Sequence, residues 1–189
     1  PNGFINDQAG NYFIANQNNN LKYALGLLNS CVTTYCISLK NSTLNTTSDD
    51  FKAIPLDGFI QKDNIEEIVN NNLSMSKNDW DSFETSWDFT VHPLVKNHVS
   101  TVSEAYSLWS KECDDRFNQL KENEEELNRI FIDIYGLQDE LDPYVEDKDV
   151  TVRKADLERD IKSLISYAVG CMFGRYSLDV EGLAYAGGE

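Results

Sequence analysis

Basic residues are scarce in this sequence. The 189 residues include 16 Lys and Arg against 32 Asp and Glu, which gives a formal net charge of −16 at pH 7. A chain this acidic lacks the broad positive surface that attracts nucleic acid. The charge is unevenly distributed, because residues 1–60 carry three Lys and four Asp, whereas residues 61–189 carry a net charge of −15. Any direct contact with nucleic acid is therefore expected in the nearly neutral first part.

Paired metal ligands are also missing. The four cysteines form no C-x-x-C pair, and the two histidines, His92 and His98, are far from them in sequence. Structural zinc sites usually need two close ligand pairs, so we predict no metal site and four free thiols in a reducing cytoplasm. No apolar run approaches the roughly 20 residues that span a bilayer, so no membrane association is expected.

Catalytic signatures are absent as well. The sequence contains no G-x-x-x-x-G-K-[ST], G-x-G-x-x-G or G-x-S-x-G motif. Asp142-Pro143-Tyr144 is similar to the D-P-P-Y tetrapeptide of amino-methyltransferases, but one proline is missing and acids surround it, so we interpret it as a helix stop. We predict no catalytic residue. Because the chain begins Pro1-Asn2-Gly3 without Met, we expect it to be a fragment of a longer protein.

The patterning predicts an α+β fold that is predominantly α. A small mixed subdomain is predicted over residues 1–60. Its predicted elements are a strand at residues 10–15, a helix from Leu21, a segment at residues 31–39 that suits either a helix or a strand, and an extended stretch at 51–56. Connecting helices are expected over residues 61–98.

Residues 99–189 are predicted to form a helical spacer. Apolar residues recur in steps of three and four from about residue 99 to 141, which predicts one long helix with a heptad-like, coiled-coil-like seam. A return helix is expected at about 155–175, antiparallel to the first and packed either against it or against missing parts of the protein. Its apolar face should be well buried, and Gly170 and Gly174 should allow another backbone to approach closely.

The stretch DWDSFETSWDF at residues 79–89 combines aromatic and acidic side chains. On a helix, Trp80, Phe83 and Trp87 would share one face and the acids an adjacent face. A metal site would need converging carboxylates with few aromatics between them. We therefore interpret the stretch as a packing joint, with a binding surface as the alternative.

Two groups of segments resemble known DNA-modifying enzymes. The segment KYALGLLNSCVTTYCISLKNSTLNTTSDDFKAIPL at residues 22–56 is similar to target-recognition domains of Type IIG and Type I-like DNA methyltransferase systems. Three further segments together resemble PglX-type adenine-specific DNA methyltransferases of BREX phage-resistance systems. They are SKNDWDSFETSWDF (76–89), LNRIFIDIYGLQDEL (127–141) and RDIKSLISYAVGCMFGRYSLD (159–179).

The resemblance implies a parent enzyme that transfers a methyl group from S-adenosylmethionine to adenine N6. The parent's F-x-G-x-G and N-P-P-Y motifs are not in this chain, so we expect a non-catalytic target-recognition and spacer region of a restriction-modification or BREX enzyme. The implied partners are DNA, the catalytic domain of the same polypeptide and other defence proteins. The alternative is an acidic helical module that docks partners of a defence complex.

Residues that contact DNA are expected on polar loops of the first part, because base-reading side chains usually lie on loops carried by a rigid scaffold. The candidates are Gln8, Asn11, Gln17, Asn18, Lys22, Thr46, Thr47 and Lys52.

Overall fold

The computed structural model describes residues 20–41, 46–55 and 59–184. These residues form seven α-helices joined by turns and irregular segments. In chain order they are α1 (Leu21–Leu28), α2 (Cys31–Lys40), α3 (Ser48–Lys52), α4 (Lys62–Asp81), α5 (Pro93–Lys96), α6 (Val102–Tyr135) and α7 (Leu157–Met172).

The described residues contain no β-strand, only an isolated antiparallel bridge between Tyr176 and Leu183. The prediction of a predominantly α chain is therefore confirmed, whereas the predicted small mixed subdomain is not supported. The expected extended stretch at residues 51–56 is wrong at its start, because Phe51 and Lys52 belong to α3. The predicted strand at residues 10–15 lies outside the described residues.

Helix α2 forms although its sequence is rich in β-branched residues. The Thr33 hydroxyl donates a hydrogen bond to the Leu27 carbonyl at 2.6 Å, and the Cys31 N–H donates to the Asn128 side chain at 2.9 Å. These bonds satisfy polar groups around the start of the helix, where backbone donors lack helical partners. Tertiary contacts thus decide between the helix and the strand that the sequence left open.

The chain divides into two compact units. The first contains residues 1–71 and 123–145, and the second contains residues 72–122 and 146–189. The functional division at residues 60 and 98 remains a prediction.

The first unit has a continuous apolar core. Its buried residues come from α1, α2, α4 and α6, together with Ile54. The Tyr23 ring packs edge-to-face on the rings of Phe59 and Phe131, with centroids 5.2 and 5.6 Å apart. Gly26 is needed here, because a Cβ at this position would lie 3.0 Å from Val69 Cγ2.

Among its described residues, the second unit has two apolar clusters. One joins Leu94 to Ala105, Trp109 and Cys113 of α6, with Ile161 and Leu164 of α7 packed against it. The other is formed by the rings of Phe89, Tyr167 and Tyr176. The expectation that α7 packs against the long helix is thus confirmed within this unit.

Helix α6 is shorter than the predicted 99–141 and ends at a glycine. Gly136 adopts a left-handed conformation with φ of 65°. Its N–H donates to the Asp133 carbonyl, and the Leu137 N–H donates to the Ile132 carbonyl at 3.0 Å. This is the Schellman arrangement that closes helix C-termini. The interpretation of Asp142-Pro143 as the helix stop is therefore wrong, because the helix ends before these residues.

Helix α7 ends in the same way at Gly174, whose φ is 76°. The Arg175 N–H donates to the Gly170 carbonyl at 2.8 Å and closes the last turn. At Gly170, a Cβ would lie 2.7 Å from the Tyr176 ring. Among the described residues, Gly174 ends the helix and Gly170 leaves room for a side chain, so neither is approached by another backbone there.

Candidate functional site

Half of the predicted DNA-contacting residues lie in the described part of the chain. Gln8, Asn11, Gln17 and Asn18 lie outside it, whereas Lys22, Thr46, Thr47 and Lys52 belong to the first unit. The structure does not test DNA contact at any of these positions, so their role stays a prediction.

Thr47 forms the N-terminal cap of α3. Its backbone N–H and its hydroxyl each donate to Asp50 Oδ2 at 2.8 Å, and the Asn41 side-chain amide donates to the same oxygen at 2.8 Å. These hydrogen bonds, with that of the Thr47 backbone the strongest, lower the pKa of Asp50 to about 2. The loop is therefore fixed by a charged cap, and Thr47 has a structural role that sequence reasoning missed.

Two lysines of the first unit extend into solvent. Lys22 is exposed in the first turn of α1, beside the buried Tyr23. The Lys52 side chain is 72% exposed, and its ammonium group lies 2.8 Å from Asp49 Oδ1. An exposed pair of this kind contributes little to stability. Both ammonium groups are therefore accessible to an external anion.

The second unit contains a buried ionic cluster that the sequence analysis did not identify. Asp79 is 5% exposed and accepts hydrogen bonds from the backbone N–H and the Nε of Arg153, at 3.3 and 3.1 Å. The Arg116 guanidinium lies 3.9 Å from the same carboxylate. Because Asp79 joins the end of α4, the middle of α6 and the segment before α7, this carboxylate acts as an anchor.

Asp160 is a second buried anchor. Its Oδ2 accepts hydrogen bonds from the Trp109 indole N–H at 2.9 Å and the Asp156 N–H at 3.1 Å, and its Oδ1 accepts from Arg159 Nε at 2.7 Å. Every one of these partners belongs to the protein, so the carboxylate is engaged in structure. Asp160 and Trp109 are 51 positions apart in sequence, so no local sequence pattern could have predicted their hydrogen bond.

The aromatic and acidic stretch at residues 79–89 serves as a packing joint only in part. Phe83 lies under the Arg153 guanidinium, with 3.5 Å between the guanidinium carbon and the ring centroid, and Phe89 is buried. Trp80 and Trp87, however, are 54% and 101% exposed. The predicted shared face of Trp80, Phe83 and Trp87 is therefore wrong, because α4 ends at Asp81 and turns follow.

Burial favours the neutral forms of two titratable side chains in this unit, His92 and Cys113. Burial lowers the pKa of His92 to about 4, against a smaller opposing effect of Asp160. Burial also raises the pKa of Cys113 to about 11, although Arg116 lies nearby. A thiol with this pKa is a poor nucleophile. All four cysteines are free, as predicted.

The described residues show no cluster of metal ligands, and the Asp142-Pro143-Tyr144 segment is tied into the fold by hydrogen bonds. Over residues 20–41, 46–55 and 59–184, no group of three or more His, Cys, Asp and Glu side chains is arranged to hold a metal ion. In the segment that is similar to an adenine pocket, Asp142 accepts the Tyr144 N–H and the Pro143 carbonyl accepts the Asn128 amide. These three residues therefore form an irregular segment fixed by internal hydrogen bonds.

Helix α7 presents an apolar face to solvent. Ile165, Val169, Met172 and Phe173 are 59%, 45%, 82% and 83% exposed, and Ala168 is also exposed. The expected burial of the apolar face is confirmed for Ile161 and Leu164, which pack against the first cluster, and is wrong among the described residues for the five exposed positions. Among the helices of the described ranges, none is long and apolar enough to cross a membrane.

The whole chain is similar to two adenine-specific methyltransferases. It is 48% identical over 194 residues to adenine-specific methyltransferase PglX of Lacticaseibacillus casei (strain Zhang), an alignment that covers 100% of this chain and 16% of the relative. It is 32% identical over 203 residues to adenine-specific methyltransferase BrxX of Escherichia coli O9:H4 (strain HS), which covers 98% of this chain and 16% of that relative. No family model matches the chain.

These similarities place the chain with proteins of PglX and BrxX type, and both relatives are named adenine-specific methyltransferases. The chain is a segment of a PglX/BrxX-type protein, as its resemblance predicted. It spans about a sixth of the length of the curated relatives that it matches.

Proposed function

We propose that this chain is the non-catalytic target-recognition and helical spacer region of a site-specific adenine-N6 DNA methyltransferase in a phage-defence system. The single observation that carries the proposal is the 48% identity, over the whole chain, to a PglX methyltransferase about six times as long. The chain itself has neither the F-x-G-x-G nor the N-P-P-Y motif. S-adenosylmethionine and the flipped adenine are therefore assigned to other parts of the parent, which acts on DNA in the cytoplasm.

Within this proposal, residues 1–60 contribute to recognition, residues 61–98 connect, and residues 99–189 form the spacer. The charge distribution supports the division, since the net charge is −1 over residues 1–60 and −15 over the remainder. Acidic surfaces repel the DNA backbone, so the second part faces protein or solvent. Lys22 and Lys52 supply phosphate contacts, and the polar loop side chains supply hydrogen bonds to bases.

The test uses the full-length methyltransferase and its DNA site. Lys22→Ala and Lys52→Ala should each raise the DNA concentration for half-maximal methylation about fivefold, the equivalent of about 1 kcal/mol for one exposed ion pair. The maximal rate should stay unchanged, because neither lysine takes part in methyl transfer.

A matched control is available in the second unit. The Lys162 side chain is 72% exposed and lies 2.5 Å from Glu158, so it resembles Lys52 in both exposure and pairing. Lys162→Ala should leave the DNA concentration dependence unchanged. Equal effects of Lys52→Ala and Lys162→Ala would refute a specific role of the first unit in DNA contact.

A second candidate function is an acidic module that docks other proteins of the defence complex. The net charge of −15 over residues 61–189 favours it, and it is compatible with the first proposal. Deleting α6 would not test this idea, because α6 supplies buried residues to both units. Replacing the exposed Asp114 and Asp115 by Asn should weaken capture of a purified partner, whereas the same change at the exposed Asp139 should not.

A further inference from the structure

The apolar surface of α7 lies on one side of the helix. We call this surface the outward face, and it consists of Ile165, Ala168, Val169, Met172 and Phe173. The last four residues lie three, four, seven and eight positions after Ile165. Residues with this spacing share a helix face. All five are exposed.

The side that packs inside the second unit is a different one. Asp160, Leu164, Tyr167 and Cys171 form it, at the same three- and four-residue spacing. Asp160 and Tyr167 are 3% and 2% exposed, and Leu164 and Cys171 pack against the two apolar clusters. The inner side is therefore already filled, and it contains a carboxylate and a phenol. The outward face contains only apolar side chains.

The outward face is also uncharged in an acidic protein. No Asp, Glu, Lys or Arg occurs from residue 163 to residue 174, although the chain has 48 such residues among 189. A helix face that meets water permanently normally carries charged side chains. Contiguous exposed apolar surfaces of this kind mark places where another protein surface binds.

We propose that the outward face of α7 docks onto an apolar surface elsewhere in the same PglX/BrxX-type polypeptide. The chain spans 16% of each relative, so about five-sixths of such a protein lies outside it. A surface in the same polypeptide is present at a high effective concentration and needs no separate encounter. An uncharged face selects an apolar partner, because burying an unpaired charge against it is costly. The inference rests on the family relationship and is independent of the DNA-binding proposal.

The test is site-specific cross-linking in the full-length protein. Met172→p-benzoylphenylalanine places a photoreactive group on the outward face, and Leu108→p-benzoylphenylalanine is the control at a 46% exposed apolar position of α6 in the same unit. After irradiation of the protein without DNA, mass spectrometry should find intramolecular cross-links from position 172 to residues outside this segment. Position 108 should give none.

Three other outcomes would overturn the proposal. They are cross-links from position 172 to a second copy, cross-links only to residues of this segment, and no cross-link at all. A second readout is the melting temperature of the full-length protein, which Val169→Glu with Met172→Glu should lower and Leu108→Glu should not. An equal melting temperature for all three proteins would contradict docking. Because neither readout uses DNA or methyl transfer, a failure here is distinct from a failure of the proposed function.

Discussion

Trp87 and Phe89 are two residues apart and have opposite environments. Trp87 is fully exposed, whereas Phe89 is 5% exposed and its ring lies 5.8 and 5.5 Å from the rings of Tyr167 and Tyr176. Composition could not separate them, because both are large aromatics in one acidic stretch. The end of α4 at Asp81 decides which ring turns inward, and no residue in the stretch signals that end.

This difference predicts unequal effects of alanine substitution. Phe89→Ala should lower the free energy of unfolding of the 189-residue chain by about 3–5 kcal/mol, since it removes a buried ring and leaves a cavity. Trp87→Ala should change it by less than about 0.5 kcal/mol. Urea denaturation of both variants measures the difference, and a loss at Trp87 as large as at Phe89 would contradict the described packing.

His92 predicts how stability depends on pH. Its pKa is lowered from 6.5 to about 4 by burial, so the unfolded chain takes up a proton before the folded chain does. Stability attributable to His92 is therefore intact above pH 6.5 and is lost as the pH falls from 6.5 to 4. The full loss is up to about 3 kcal/mol, from about 1.4 kcal/mol per pKa unit.

The variant His92→Asn isolates this contribution. Asparagine can keep the capping role of His92, whose Nδ1 accepts the Leu94 N–H, but it does not titrate. Its unfolding free energy should fall less than that of the unmodified chain between pH 7 and pH 4. Parallel pH profiles for the chain and His92→Asn would refute the assignment.

At the scale of elements, the sequence predicted helices better than their ends or their inward faces. The seam of α6 was visible, since Trp109, Cys113, Phe117, Leu120 and Phe131 are all buried. Its end was not, because a glycine stops a helix only where the local hydrogen bonds close around it. The inward face of α7 was predicted only in part. Ile161 and Leu164 pack inside, but Asp160 with its hydrogen-bonded carboxylate and Tyr167 with its ring also lie there, and a hydrophobic pattern does not single them out.

Gly136 should therefore be intolerant of a side chain. Gly136→Ala forces a Cβ into a left-handed conformation and should lower the free energy of unfolding by about 1–2 kcal/mol. No atom outside its chain neighbours would lie within 4 Å of that Cβ, so the cost is conformational and not steric crowding. Asp139→Ala, at an exposed position three residues later, is the control and should change stability by less than about 0.5 kcal/mol. Equal midpoints in urea would show that the turn relaxes without cost.

At the scale of the whole molecule, the charge is divided unevenly along the chain. The acidic excess lies in residues 61–189, and the described part of the chain holds its carboxylates either in structural contacts, as at Asp79 and Asp160, or on the surface. The sequence carried the family resemblance and the helical character. Long-range anchors such as Asp79 with Arg153 could not be predicted, since 74 positions separate their partners.

The central proposal is that residues 1–60 contact DNA within a methyltransferase. The most direct measurement is the salt dependence of DNA binding by the full-length protein, compared with its Lys22→Ala plus Lys52→Ala variant. Each phosphate contact contributes about 0.9 to the slope of log affinity against log salt concentration. The double variant should therefore show a slope shallower by about 2, and Lys162→Ala should match the unmodified protein. Identical slopes for all three proteins would contradict the claim.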